Sequence, residues 1–282
     1  MTSPASHLSD HARIAFIGGG NMARSLIGGL IANGVPAGHL AVSEPNSDLR
    51  AALARDFAIA TPAGNEDAAS SADVLLLAVK PQVMNDVCAG LRAAAQARKP
   101  LIISTAAGIR IDQLDTWLGG SMPIVRCMPN TPALIGAGAT GACANARCTG
   151  AQREIAQGIL SAVGTTVWID DEALMDTVTA ISGSGPAYFF LLVEALEDAA
   201  VSQGLPRETA RALAAQTCLG AGRMLREDGA APAELRRRVT SPGGTTQAAL
   251  ESFAASDFTA IVARAIVAAT KRGGELSAQL EN

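Results

Sequence analysis

Three stretches of this chain carry residue types and spacings that could do chemistry, and none of them contains an imidazole. The first is Gly18-x-Gly20-x-x-Ala23, flanked by an apolar run at Ile14–Ile17 and by helical spacing at Met22, Leu26, Ile27, Leu30 and Ile31. The spacing fits the dinucleotide fingerprint, which permits Ala at its third position. Gly18 lets the chain turn tightly out of a strand, Gly20 lets backbone approach a pyrophosphate, and Ala23 lets the helix lie close to the sheet. The helix start then offers unpaired N–H groups and a positive dipole end to phosphates. A plain strand-to-helix turn is the bland alternative, but both flanks are present and favour a nucleotide. The second stretch is Thr179-Ala180-Ile181-Ser182-Gly183-Ser184-Gly185-Pro186. Pro186 suits a first helical turn and Gly183 and Gly185 allow close approach, so it reads equally as a flexible junction or as a site. The third, Ser241-Pro242-Gly243-Gly244-Thr245-Thr246, leads into a helix near Gln247. It is either an ordinary helix cap, with Thr245 or Thr246 capping, or a carboxylate site built on free N–H groups.

The remaining inventory limits what a bound dinucleotide could reduce. Many nicotinamide dehydrogenases place a His, Lys or Tyr acid or base near the transferred hydride. His7, His11 and His39 all precede or open the second predicted strand, and the lysines are Lys80, Lys99 and Lys271. Leu192 stands four residues after Tyr188, so a Tyr-x-x-x-Lys pair is absent, and nothing basic lies between Arg153 and Arg207. A ketone needs a strong proton donor during reduction, whereas an imine can already carry its proton. The inventory therefore points towards a C=N bond.

Composition sets the outer bounds. With 282 residues, the chain is long enough for two domains and a sizeable core. Its net charge of −4, without blocks of like charge, argues against nucleic acid as a partner. Anions must then be held by local groups, and Arg236-Arg237-Arg238 reads as a solvated face rather than an anion clamp. Cys88, Cys127, Cys143, Cys148 and Cys218 show no C-x-x-C spacing, so they read as reduced residues of a cytoplasmic protein, with no metal site. The N-terminal dozen residues lack the apolar core of a secretory signal and read as a disordered tail, 1–12. The longest uncharged run, near Cys127–Ala146, is broken by prolines and glycines, and no membrane span is expected there.

These groups must be positioned by alternating strands and helices. Strands are expected at Ile14–Ile17, His39–Ser43, Ala58–Thr61, Asp73–Val79, Leu101–Ser104 and Pro123–Arg126, with helices reaching to about Asp56 and Gln96. A last pair near Ala139–Ala144 and Thr165–Ile169, with a helix between, closes the pattern. The alternation predicts an α/β, doubly wound Rossmann-type sheet over 13–170. Ligands of such sheets sit outside the carboxyl ends of the strands. That edge would carry the Gly18 loop, Glu44, Lys80, the Ala106 turn and the Pro129 loop. Beyond it, over 171–282, only helices are expected: about 172–181, 186–203, 206–226, 232–239, 246–254 and 257–277. The run Ala187–Val201 is apolar around most of its circumference, which requires burial on several sides. A second subunit is the simplest source of it, so an intertwined dimer is predicted.

Taken together, IGGGNMA (17–23), AVKPQ (78–82), AAGI (106–109), RCMPNTPALIGAG (126–138), VTAISGSGPAYFFLLVEALEDAAVSQGLP (178–206) and VTSPGGTTQAAL (239–250) resemble the pyrroline-5-carboxylate reductase family, in the family's order. The resemblance implies reduction of 1-pyrroline-5-carboxylate to L-proline by NADPH or NADH, completing proline biosynthesis. It implies that Gly18, Gly19, Gly20, Asn21, Met22 and Ala23, with Ala78, Val79, Lys80, Pro81, Ala106 and Ala107, line the cofactor. Asn65 would lie near the adenosine ribose phosphate, and Pro129, Asn130 and Pro132 would border the nicotinamide. Ser241, Gly243, Gly244, Thr245 and Thr246 would hold the substrate carboxylate, from a neighbouring subunit's all-α dimerisation domain. Thr179 matches the hydroxyl suggested to donate to the ring nitrogen. Family members form dimers that often assemble into decamers.

One position departs from the family's commoner pattern. Where a small hydroxyl residue often closes the second strand, this chain has Glu44 after Ser43. An acid there bonds the ribose hydroxyls of NAD and repels a 2′-phosphate. Alternatively Glu44 turns outward before Pro45, leaving Ser43, Asn46 and Asn65 to meet the phosphate. Three rival functions stay in view: reduction of another cyclic imine, a hydroxyacid dehydrogenase relative, and a non-catalytic NAD(P)-binding sensor or scaffold.

Overall fold

A computed structural model describes residues 12–280. The expected tail lies outside the described residues except for Ala12, which is buried at the foot of the first strand. Compactness divides the chain into one unit running through Ser184 together with Ala269 onward, and another formed by Gly185–Ala268.

The first unit is built on seven strands: β1 (Ile14–Ile17), β2 (Leu40–Ser43), β3 (Val74–Leu77), β4 (Leu101–Ser104), β5 (Ile124–Met128), β6 (Gly138–Ala144) and β7 (Gly164–Trp168). Their order is β2-β1-β3-β4-β5-β6-β7. The first five strands are parallel, so all their carboxyl ends share one edge. β6 runs antiparallel to β5 and β7 runs parallel to β6. Alternation fills both faces of the sheet. Ile14, Phe16, Leu76, Ile103 and Val125 pack with Leu26, Leu30 and Ile159 on one side. Ala15, Ile17, Leu75, Leu77, Ile102 and Ile124 pack with Met84, Leu91 and Leu114 on the other. Four-residue strands buried on both faces are what parallel sheets covered by helices produce.

The helices of this unit are α1 (Asn21–Ala32), α2 (Ser47–Phe57), α3 (Asn65–Ala69), α4 (Met84–Arg98), α5 (Ile111–Trp117), α6 (Gly150–Ser161) and α7 (Met175–Val178). The expected third strand, Ala58–Thr61, is corrected to a single bridge between Ala60 and Ala41. Ala58 ends α2 in the left-handed conformation at φ 54°, which turns the chain away from an extended path. The helix expected over 172–181 is instead a 3-10 turn at Glu172–Leu174, then α7, then a π-helical turn over Thr179–Gly183. In that turn the Ser184 N–H reaches back to the Thr179 carbonyl at 2.8 Å.

The second unit contains α8 (Gly185–Ser202), α9 (Arg207–Glu227), α10 (Pro232–Arg238), α11 (Thr245–Ala255) and the first half of α12 (Phe258–Gln279). Glu197 locks the α8–α9 hairpin, accepting from Arg207 at 2.9 Å and from Arg211 at 3.0 Å through both carboxylate oxygens. The two guanidiniums, Arg211 foremost, hold the Glu197 carboxyl below its usual range. Apart from this knot the unit buries little. Among residues 185–268 only Gly185, Glu197, Ala210 and Leu235 are buried. By length and composition alone the helical stretch 172–202 could cross a membrane, yet only 11% of its most apolar window is buried within the chain.

Candidate active site

The glycine loop leaves β1 at Gly18, whose φ of +98° and contact with the Ala78 carbonyl admit no side chain: a Cβ there would sit 2.9 Å from that oxygen. The Gly18 N–H donates to Ser43 O at 2.8 Å, which ties the loop to the end of β2. Gly20 is the N-cap of α1, and no side chain caps this helix and no acid stands in its first turn. By contrast, α2 is capped by Asn46, whose side chain accepts from the N–H groups of Asp48 and Leu49. A Cβ on Gly20 would meet nothing within 4 Å. An open backbone face beside uncapped helical N–H groups is what a pyrophosphate requires, so these residues fit a dinucleotide.

Around that opening the structure brings together most of the expected edge. Ser43 donates its hydroxyl proton to Asn65 Oδ1 at 2.7 Å. Ala78 and Val79 pack beneath Gly18, while Lys80 stands exposed at the end of β3 and Pro81 opens the turn after it. Ala106 is buried and Ala107 exposed after β4, and Pro129 and Asn130 close β5. Glu44 does not turn outward. Its Oε2 accepts from the Gly19 N–H at 2.8 Å and its Oε1 from the Asn46 N–H at 3.0 Å. Arg50 holds the turn from outside by donating to the carbonyls of Glu44 and Pro45.

The Thr179 segment lies along the β5–β6 side of the same unit. Asn130 donates to the Ser182 carbonyl at 3.0 Å and accepts from the Ala139 N–H at 2.9 Å. Gly183 sits against Met128, where a Cβ would come within 2.8 Å of Cε. Thr179 is half-buried and its hydroxyl donates to the Met175 carbonyl at 2.9 Å. A π-turn widens the helix where it occurs, and such turns are frequent at functional positions.

The Ser241–Thr246 loop belongs to the second unit. Gly244 is the N-cap of α11 without a side-chain cap, and Ser241 and Gly243 are exposed. Here too the chain has placed its own acceptor: Gln247 Oε1 takes the Gly243 N–H at 2.8 Å while its amide donates to Glu251 at 2.8 Å. A groove of about 650 Å³ beside the loop is lined by Leu192, Leu196, Leu250, Phe253 and Phe258, with Arg236 at its margin.

Reasoning from sequence missed Gln247, Met128 and the pair Arg126–Glu172. Arg126 lies 5% exposed within a strand and donates to Glu172 Oε1 at 2.9 Å. The signal that could have found it is a lone charge inside an apolar run. Burial pushes the Cys88 and Cys127 thiols up to about 12, which keeps both protonated. Among the described residues no three His, Cys, Asp or Glu side chains converge as metal ligands would.

Comparison with known proteins bears on both halves. The family described as pyrroline-5-carboxylate reductase dimerisation matches residues 172–276, and that described as NADP oxidoreductase coenzyme F420-dependent matches 13–108. A pyrroline-5-carboxylate reductase of Pseudomonas aeruginosa is 56% identical over 270 residues, covering 95% of this chain and 98% of that protein. One from Arabidopsis thaliana is 38% identical, with 94% and 95% covered. The solved pyrroline-5-carboxylate reductase of Coxiella burnetii superposes with a TM-score of 0.92 at 41% identity, covering 94% and 98%. The Plasmodium falciparum pyrroline carboxylate reductase, solved with NADP bound, gives 0.81 at 30% identity, covering 95% and 99%.

Proposed function

The chain belongs to the pyrroline-5-carboxylate reductase family and reduces 1-pyrroline-5-carboxylate to L-proline with NAD(P)H, and on that premise we propose how its residues divide the work. Residues 13–170 form the cofactor domain, and residues 171–282 the dimerisation and substrate domain. When bound, the reduced nicotinamide supplies the hydride that goes to the imine carbon.

The observation that carries the cofactor assignment is the open, uncapped start of α1 at Gly20. Backbone N–H groups of Asn21, Met22 and Ala23 receive the pyrophosphate there. Ala78, Val79, Lys80, Pro81, Ala106 and Ala107 line the same edge, and Pro129, Asn130 and Pro132 border the nicotinamide. Ser43 and Asn65 face the adenosine ribose, with Glu44 between them and the loop. Each oxygen of a carboxylate keeps a second lone pair when one is used, so Glu44 can accept from ribose hydroxyls without releasing Gly19. The same charge opposes a 2′-phosphate, which keeps NADH open beside the NADPH expected from the family.

Ser241, Gly243, Gly244, Thr245 and Thr246 hold the substrate carboxylate through N–H groups and hydroxyls at the start of α11. Thr179 donates to the ring nitrogen: its hydroxyl, which in this structure bonds the Met175 carbonyl, rotates towards substrate. Weak acidity suffices because the nitrogen of a neutral imine becomes strongly basic as hydride reaches the carbon, and the proton that Thr179 gives up is replaced from water. The protein self-associates through its dimerisation domain. We assign it an intertwined dimer in which partner helices fill the groove beside α11, able to build further to a decamer. No nucleic acid and no membrane takes part, and the setting is the cytoplasm.

The test is NAD(P)H oxidation with 1-pyrroline-5-carboxylate, run beside pyrroline-2-carboxylate. Turnover should require the first, and its absence would defeat the assignment. Thr179→Ala should lower kcat by on the order of 10²-fold, as loss of a positioned proton donor does, while cofactor affinity stays put.

A further inference from the structure

The segment that carries Thr179 is fastened to the sheet at both ends, and the first fastening is electrostatic. Glu172 opens the segment, and its Oε1 accepts from Arg126 Nη1 at 2.9 Å and from the Ile111 N–H at 2.9 Å. One carboxylate oxygen therefore joins the middle of β5, the first turn of α5 and the start of the segment. At the far end Asn130 holds the Ser182 carbonyl, and Gly183 lies on Met128. Between the two fastenings stands Thr179, half-buried, at the start of the π-turn.

We propose that Glu172, held by Arg126, is a positioning residue for the reaction, setting the height of the Thr179 hydroxyl above the sheet edge. The proposal rests on the reading of Thr179 as the proton donor. A carboxylate is required because it answers two demands at once. It neutralises a guanidinium that β5 keeps almost wholly out of water, and it satisfies an N–H at a helix start, where negative charge is favourable. Neither demand arises from substrate or cofactor, so the pair acts through the segment it holds. Misplacement of a reacting group by about 1 Å can cost on the order of 10²-fold in rate.

The experiment is a mutant cycle on the full-length protein, reading kcat, KM for 1-pyrroline-5-carboxylate and the Kd of NADPH. Glu172→Ala should lower kcat by about tenfold to a hundredfold and leave the NADPH Kd within about twofold. Glu172→Gln keeps an oxygen acceptor for both partners but leaves the Arg126 charge unneutralised, so it should recover part of the rate and not all of it. Added to Thr179→Ala, Glu172→Ala should cost less than about a further twofold, because coupled residues are not additive. If Glu172→Ala fails to fold, Arg126→Lys enters the same cycle with the same expectation. Glu172→Ala at full kcat beside a slow Thr179→Ala overturns the positioning role alone. So does a loss that adds in full on the Thr179→Ala background. Thr179→Ala at wild-type kcat removes the donor, and the positioning role with it.

Discussion

At the scale of single residues, two side chains already occupy N–H groups that ligands would want. Glu44 takes the Gly19 N–H, and Gln247 takes the Gly243 N–H. Neither destination was legible in the sequence, which shows a carboxylate before Pro45 but not which way it turns. Its direction is set by tertiary contacts: Leu53 and the Glu44 stem crowd Gly19, where a Cβ would lie 2.7 Å from Leu53 Cδ1. Glu44→Ser removes the charge and frees the Gly19 N–H. Hydrogen bonds to charged groups contribute roughly 1.5–3 kcal/mol, so the ratio of kcat/KM for NADPH over NADH should rise by about tenfold or more. An unchanged ratio would show that Glu44 serves only the loop. Gln247→Ala should act on the substrate side. A neutral hydrogen bond contributes roughly 1 kcal/mol, so freeing Gly243 should lower KM for 1-pyrroline-5-carboxylate a few-fold with kcat unchanged. A raised KM would mean that Gln247 instead orders the loop for binding.

At the scale of elements, the legible parts were those with periodicity. α1, α4 and α8–α12 were readable from 3.6-residue spacing, and β1, β3 and β4 from short buried runs between turn residues. α3 and α5 were not: the five residues of α3 display no stripe, and the seven of α5 carry only Ile111, Leu114 and Trp117 as apolar marks. The reversal of β6 was not legible either, since local sequence does not state strand direction. It matters to the site, because it brings Gly141 of β6 beneath Val178, next to Thr179. A Cβ on Gly141 would lie 2.4 Å from Val178 Cγ1. Gly141→Ala should therefore push the Thr179 segment off the sheet, with overpacking costing roughly 1–3 kcal/mol in stability and kcat falling alongside. Adding Val178→Ala makes the missing room, and the pair should regain both. A Gly141→Ala protein with native stability and rate would show that the segment has another position available at no cost.

At the scale of the whole molecule, the apolar content of the C-terminal helices finds no home within one chain. Phe189, Phe190 and Leu191 are 59%, 69% and 65% exposed on α8, and Leu213 and Leu219 are each 57% exposed on α9. Exposed apolar surface of this kind marks an interface, and the dimerisation family matched over 172–276 spans both helices. The sequence disclosed this through the apolar circumference of Ala187–Val201, while the pairing geometry depends on a partner that one chain does not contain. Folding of the 185–268 unit should then be inseparable from association, because stability of an obligate dimer follows protomer concentration. Melting temperature should rise with protein concentration across the nanomolar to micromolar range. Phe190→Glu, which places a charge in the covered face, should lower it and shift light-scattering mass towards the monomer. It should also abolish turnover if the Ser241–Thr246 loop serves a neighbouring subunit's cofactor. A folded monomer at micromolar concentration, melting at the same temperature on dilution, would contradict the dimer and the shared site together.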